Sequence, residues 1–142
     1  MEPYKPLAEG QDSIEIELRS AVDVLRACHE GKALAGSLQF NMIDATRIAT
    51  AISEIARNCV VHGGGGSILL TVAYDGRGSG LLVVARDRGR GIPDVGRALQ
   101  DGYSTAGSLG IGLGVARRVM DEFNIVAEVG KGTTVTMLKW KR

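Results

Sequence analysis

SLGIGLGVAR, Ser108 to Arg117, places glycines at 110, 112 and 114 and then runs into a segment that reads as a helix. Glycine costs a helix interior about 1 kcal/mol relative to alanine. Three of them in five positions therefore imply backbone that must move or must approach something closely. Unobstructed N–H groups at a helix N-terminus suit an anion, phosphate above all. The same spacing also fits a flexible turn, so the rest of the chain has to decide.

The common phosphate loops do not fit. A G-x-x-x-x-G-K-[ST] loop needs Ser or Thr after a Gly-Lys pair, and neither Gly31-Lys32 nor Gly130-Lys131 is followed by one. A G-x-G-x-x-G fingerprint must directly follow a strand, whereas Gly110, Gly112 and Gly114 have another spacing and follow a polar loop.

Working outward, SIEIEL (Ser13–Leu18) alternates apolar and acidic residues, as a half-buried strand does. Ala21–Leu34 predicts a helix. Met42–His62 predicts a second, with Ile48, Ile52, Ile55 and Cys59 as its apolar stripe and Gly63–Gly66 as its stop. SILLTVAYD (Ser67–Asp75) and GLLVVARD (Gly80–Asp87) read as strands joined by a hairpin loop. Pro93 predicts a short helix towards Leu99, and Asp101–Ser108 a loop. Gly114–Glu122 predicts a helix, and NIVAEV with TTVTMLKW a closing hairpin around Gly130–Gly132. Strands in antiparallel pairs with helices grouped between them predict an α+β sandwich, a mixed, mostly antiparallel sheet covered on one face by helices.

At 142 residues the chain fits a single domain with its own core. A formal net charge of +1 gives no electrostatic case for nucleic acid. No apolar run is long enough to enter a membrane. Cys28, Cys59, His29 and His62 show no metal-binding spacing, so reduced thiols in a cytoplasmic protein are expected.

Three more features keep the glycines company. Glu54 and Asn58 lie four apart on the second helix and share a face at the rim of its apolar stripe. The pair reads as a general base beside a magnesium ligand, or as two surface residues. ARDRGRGIPD puts Asp87 at a strand end, with Gly89 and Gly91 letting the backbone turn closely around it, or simply making a turn. GKGTT (Gly130–Thr134) reads as a hairpin turn.

The four features occur in the order E-x-x-x-N, D-x-G-x-G-I-P, G-x-G-x-G, G-x-G-T. This joint pattern, from about Asn41 to Trp140, resembles the GHKL or Bergerat ATP-binding fold of gyrase, Hsp90, histidine kinases and MutL. The resemblance implies ATP and Mg²⁺ as ligands. Glu54 would be the catalytic base and Asn58 the magnesium ligand. Asp87 would accept a hydrogen bond from the adenine amino group, with Gly89, Gly91 and Ile92 shaping the pocket. Gly110, Ile111, Gly112 and Gly114 would line the phosphates, and Thr133 would complete the adenine end.

Within that superfamily the chain has no room for a transducer domain or for a dimerisation hairpin carrying an acceptor histidine. IATAISEIARN (Ile48–Asn58), QDGYST (Gln100–Thr105), RVMDEF (Arg118–Phe123) and KWKR (Lys139–Arg142) are similar to the RsbT-type switch kinases of stressosomes. That implies a serine/threonine kinase acting on a STAS-domain protein and then engaging an output protein, such as a PP2C-type phosphatase. Two alternatives stand beside it: an anti-sigma factor kinase, and a nucleotide-gated binding module without catalysis. His62 before four glycines is similar to the anti-sigma branch. That branch usually carries an Arg before the phosphate glycines, and STAGSLG (Ser104–Gly110) holds no cation, which leaves Arg117, Arg118 and Lys131 as candidates. Few apolar anchors in Gln100–Leu109 predict a lid that orders over ATP.

Overall fold

The computed structural model describes residues 5–6, 13–89, 109–128 and 130–141. Six strands form one sheet: β1 (Lys5–Pro6), β2 (Ser13–Leu18), β3 (Gly66–Tyr74), β4 (Ser79–Asp87), β5 (Glu122–Glu128) and β6 (Gly132–Lys141). Among the described residues three helices accompany them: α1 (Ala21–Ser37), α2 (Met42–Val61) and α3 (Leu109–Val119).

The starts of α1 and α2 have local causes. The Asp23 carboxylate, in the first turn of α1, accepts from Ser20 N–H at 3.1 Å and from Arg19 N–H at 2.8 Å. Asn41 caps α2 by accepting from Asp44 N–H at 2.7 Å, satisfying a donor that the helix cannot. At the other end of α2, His62 and Gly63 N–H both donate to the Asn58 carbonyl, and Gly65 N–H to that of Cys59. The chain then turns directly into β3.

The sheet runs β1–β3–β4–β6–β5, with β2 pairing the same edge of β3 as β1. Every described pair is antiparallel, so the parallel component of a mixed sheet is absent among the described strands. Alternation along the strands sorts side chains to two faces. Ile16, Ile68, Leu70, Leu81, Val83 and Met137 point inward and join Ile48, Ile52 and Ile55 of α2, Ala27 of α1 and Leu113 of α3 in one core. Among the described residues the other face keeps a small cluster, Ala73, Leu82 and Leu138, under Val84 and Trp140. The described helices thus cover one face, as the α+β sandwich expectation has it.

One boundary moves. The helix expected over Gly114–Glu122 begins at Leu109 and ends at Val119, so Gly110 and Gly112 lie inside it, while Glu122 pairs with Leu138 in β5. Packing of Leu113 and Ala116 into the core outweighs the glycine penalty there. β1 is an addition that two residues of sequence could not signal. The expected Pro93 helix, the Asp101–Ser108 loop and most of the expected lid lie outside the described residues.

Ile52 has no exposed surface and sits where α2 meets the sheet. Ile52→Ala should cost about 2–5 kcal/mol of unfolding free energy, from lost transfer energy and the cavity left behind. Val126 is 60% exposed, and Val126→Ala should change stability by less than about 0.5 kcal/mol. Urea unfolding of both variants checks the contrast.

Candidate functional site

The C-terminal end of α2, the end of β4 and the start of β6 meet at one end of the sheet, and the Asp87 carboxylate is where they join. Its Oδ1 accepts from Gly89 N–H at 2.9 Å, closing a tight turn after β4, and from Thr133 N–H of β6 at 3.2 Å. Two glycines make this approach possible. A β-carbon on Gly63, at the end of α2, would overlap the Asp87 side chain. Gly132 has φ +113°, and a β-carbon there would overlap the Asp87 carbonyl. Asp87 is half-buried and Thr133 is buried.

Asn58 lies on the last turns of α2, and its own carbonyl holds Gly63 beside Asp87. Its side chain is only 8% exposed, and among the described residues neither Oδ1 nor Nδ2 has a hydrogen-bond partner. A buried amide left in that condition costs about 1–3 kcal/mol for an unsatisfied group. Glu54, one turn earlier, is half-buried, and its Oε2 accepts from the Arg57 guanidinium.

Cys59 is the next residue and is buried beneath this corner. Burial, and then the negative charge of Asp87, push its thiol up to about 12. Desolvation, reinforced by the nearby Arg57 charge, lowers the pKa of His62 and so disfavours its protonated form.

Of the residues singled out from sequence, Asn58, Asp87, Gly89 and Thr133 come together here, with Glu54 on the adjoining turn. α3 packs against α2, and within it Gly114 is buried. Gly110, Ile111 and Gly112 belong to the first turns of α3. Gly91 and Ile92 lie outside the described residues. Arg117 and Arg118 stand in the last turn of α3, about 12–14 Å along the helix from its start, so neither belongs to its N-terminal end. Lys131 is exposed on the β5–β6 turn. Sequence reasoning missed Gly63, Gly132, Cys59 and Arg57. The only available signal for the last was its spacing of three from Glu54.

The class of protein follows from fold and sequence together. The family described as "Histidine kinase-like ATPase domain" matches residues 16–139, and the chain belongs to it. Among individual relatives, the serine/threonine-protein kinase RsbT of Bacillus subtilis (strain 168) is 39% identical over 127 residues, spanning 89% of this chain and 96% of that protein. The anti-sigma F factor of Thermoanaerobacter sp. (strain X514) is 32% identical over 112 residues, 76% of this chain and 78% of the relative. The solved structure of the mycobacterial sensor histidine kinase MprB superposes with a TM-score of 0.55 at 15% identity, over 91% of this chain and 97% of that one. That likeness concerns the fold.

The Cys59 thiol yields a prediction with a definite sign. Its folded pKa is raised from an ordinary 9.0 to about 12, so the native state keeps a proton that the unfolded chain loses. The stabilisation is complete below about pH 9 and is lost as pH rises from 9 towards 12. Urea unfolding at stepped pH should show a decline above pH 9 that is shallower in Cys59→Ala. An equal slope in both proteins would contradict it.

Proposed function

We propose that the chain is an ATP-dependent protein serine/threonine kinase of a cytoplasmic partner-switching stress module. Its substrate is a STAS-domain protein of a stressosome-like complex, and its later partner an output protein such as a PP2C-type phosphatase. One observation carries the reading. A buried amide with neither polar atom partnered among the described residues, Asn58, lies one helical turn from a carboxylate, in a chain that matches RsbT over almost its whole length.

Each residue then has a task. Asp87 Oδ1 is taken by two backbone donors, which fixes the carboxylate plane and presents Oδ2 to the adenine amino group. Gly89 and Gly91, with Ile92 and Thr133, shape the adenine end. Gly110, Ile111, Gly112 and Gly114 bring the start of α3 up to the phosphates, where its N–H groups find acceptors. Asn58 Oδ1 suits a hard cation, and among the described residues no group of three or more His, Cys, Asp or Glu side chains could hold a metal alone. Magnesium, when bound, would offset charge on the β- and γ-phosphates.

Glu54 acts as general base. It takes the proton of the acceptor hydroxyl as that oxygen bonds to the γ-phosphorus and the bond to the bridging oxygen of the departing ADP breaks. Positioning and electrostatics supply most of the acceleration.

The anti-sigma relatives favour a second reading, in which the chain binds a sigma subunit directly. Pull-down of purified STAS-domain and sigma candidates with ATP present separates the two.

Glu54→Gln should keep ATP binding while phosphotransfer to a STAS-domain protein falls about 10²–10⁴-fold. Transfer at the normal rate would place the base elsewhere, and no transfer by the wild type would leave a nucleotide-gated binding module. Asp87→Asn turns one acceptor into a donor and should weaken ATP binding by about 1–3 kcal/mol in calorimetric titration. Affinity within about twofold of wild type would remove Asp87 from the adenine contact.

A further inference from the structure

The kinase reading leaves one electrostatic difficulty. A base carboxylate placed one turn from Asn58 stands close to where a triphosphate would bind, and two anions repel. The stretch before the phosphate glycines, Ser104–Gly110, carries no cation, and Arg117 and Arg118 lie at the wrong end of α3.

We propose that Arg57 is the positioning residue of the catalytic base: its guanidinium holds one oxygen of Glu54 and offsets its charge, leaving the other oxygen to take the acceptor's proton. This rests on the kinase reading given above.

The geometry supports it in three ways. Arg57 and Glu54 are i and i+3 on α2, and Arg57 Nη2 donates to Glu54 Oε2. The Arg57 side chain is 48% exposed and that of Glu54 only 23%, so the cation lies on the solvent side and the carboxylate on the inner side. The bond restricts the torsions of a long, flexible acid to the range in which one oxygen stays tethered. The charge of Arg57 also reaches the end of α2, where it disfavours protonation of His62. A half-exposed ion pair one turn apart adds little to folding stability, so fold maintenance does not account for it. Arginine offers a planar fork in which one N–H can hold the carboxylate while others stay hydrated.

A double-mutant cycle tests this, using wild type, Glu54→Gln, Arg57→Ala, the double variant and Arg57→Lys. Two quantities are measured: kcat and KM for phosphotransfer to a purified STAS-domain protein, and ATP affinity by calorimetry. Arg57→Ala should lower kcat about tenfold, with KM for the acceptor within about twofold. Arg57→Lys should recover much of that loss. In the Glu54→Gln background, Arg57→Ala should change neither kcat nor ATP affinity further, because the residue acts through the carboxylate. Additive losses in the double variant would mean that Arg57 contacts the phosphates itself, and would overturn the proposal. So would a normal kcat in Arg57→Ala. Wild type that binds no ATP would sink the kinase reading instead, and the proposal with it.

Discussion

The hydrogen bonds from Gly89 and Thr133 to Asp87 Oδ1 are the constraint on which the rest of this end of the molecule depends. They tie a turn after β4 to the start of β6, two elements 46 residues apart along the chain. The carboxylate can sit there only because Gly63 and Gly132 lack β-carbons. Gly63 in turn is held by the Asn58 carbonyl, so the position of Asp87 and the end of α2 are set by the same few atoms. Among the described residues this corner is held by hydrogen bonds from backbone N–H groups, with both cysteines free. It needs an antiparallel sheet whose strand ends coincide with a helix end.

That coincidence is produced by ordinary packing. Ile48, Ile52 and Ile55 seat α2 on the inner face of the sheet, which fixes its rotation about its own axis. Once the stripe is buried, Asn58 must face the rim where the helix meets β4. Its burial, with no partner among the described residues, is therefore a consequence of the core, maintained at a cost in stability that the apolar stripe offsets.

Much of this was legible in the sequence, and the reason differs from element to element. The 4–3–4 spacing of α2 and the alternation of β2 are periodic, and β3 and β4 are apolar runs joined by a short glycine-rich link, so the α+β fold class could be read from the order of the elements. Glu54 and Asn58 could be placed on one face because helical geometry is fixed. The start of α3 could not be read. Its glycines carry a local penalty, while the gain that outweighs it comes from Leu113 and Ala116 meeting α2, a contact with no local signature. Gly63 and Gly132 were visible only as a helix stop and a turn. Their closeness to Asp87 depends on strand register, which a single sequence does not display.

The Glu54–Arg57 pair bears on the choice between the two kinds of relative. An anti-sigma kinase usually supplies a cation ahead of the phosphate glycines, and this chain has none there. If Arg57 balances the base carboxylate from α2, the charge that would otherwise oppose a triphosphate is met from the helix side of the site. The stretch ahead of the glycines, Ser104–Gly110, is then released from that task and can be small and uncharged in sequence, as it is. On the proposed kinase reading, a cation one turn from Glu54 and an uncharged stretch before the glycines are two halves of one arrangement. They also fit the higher identity and coverage with the serine/threonine kinase RsbT, 39% over 96% of that protein, against 32% over 78% for the anti-sigma relative.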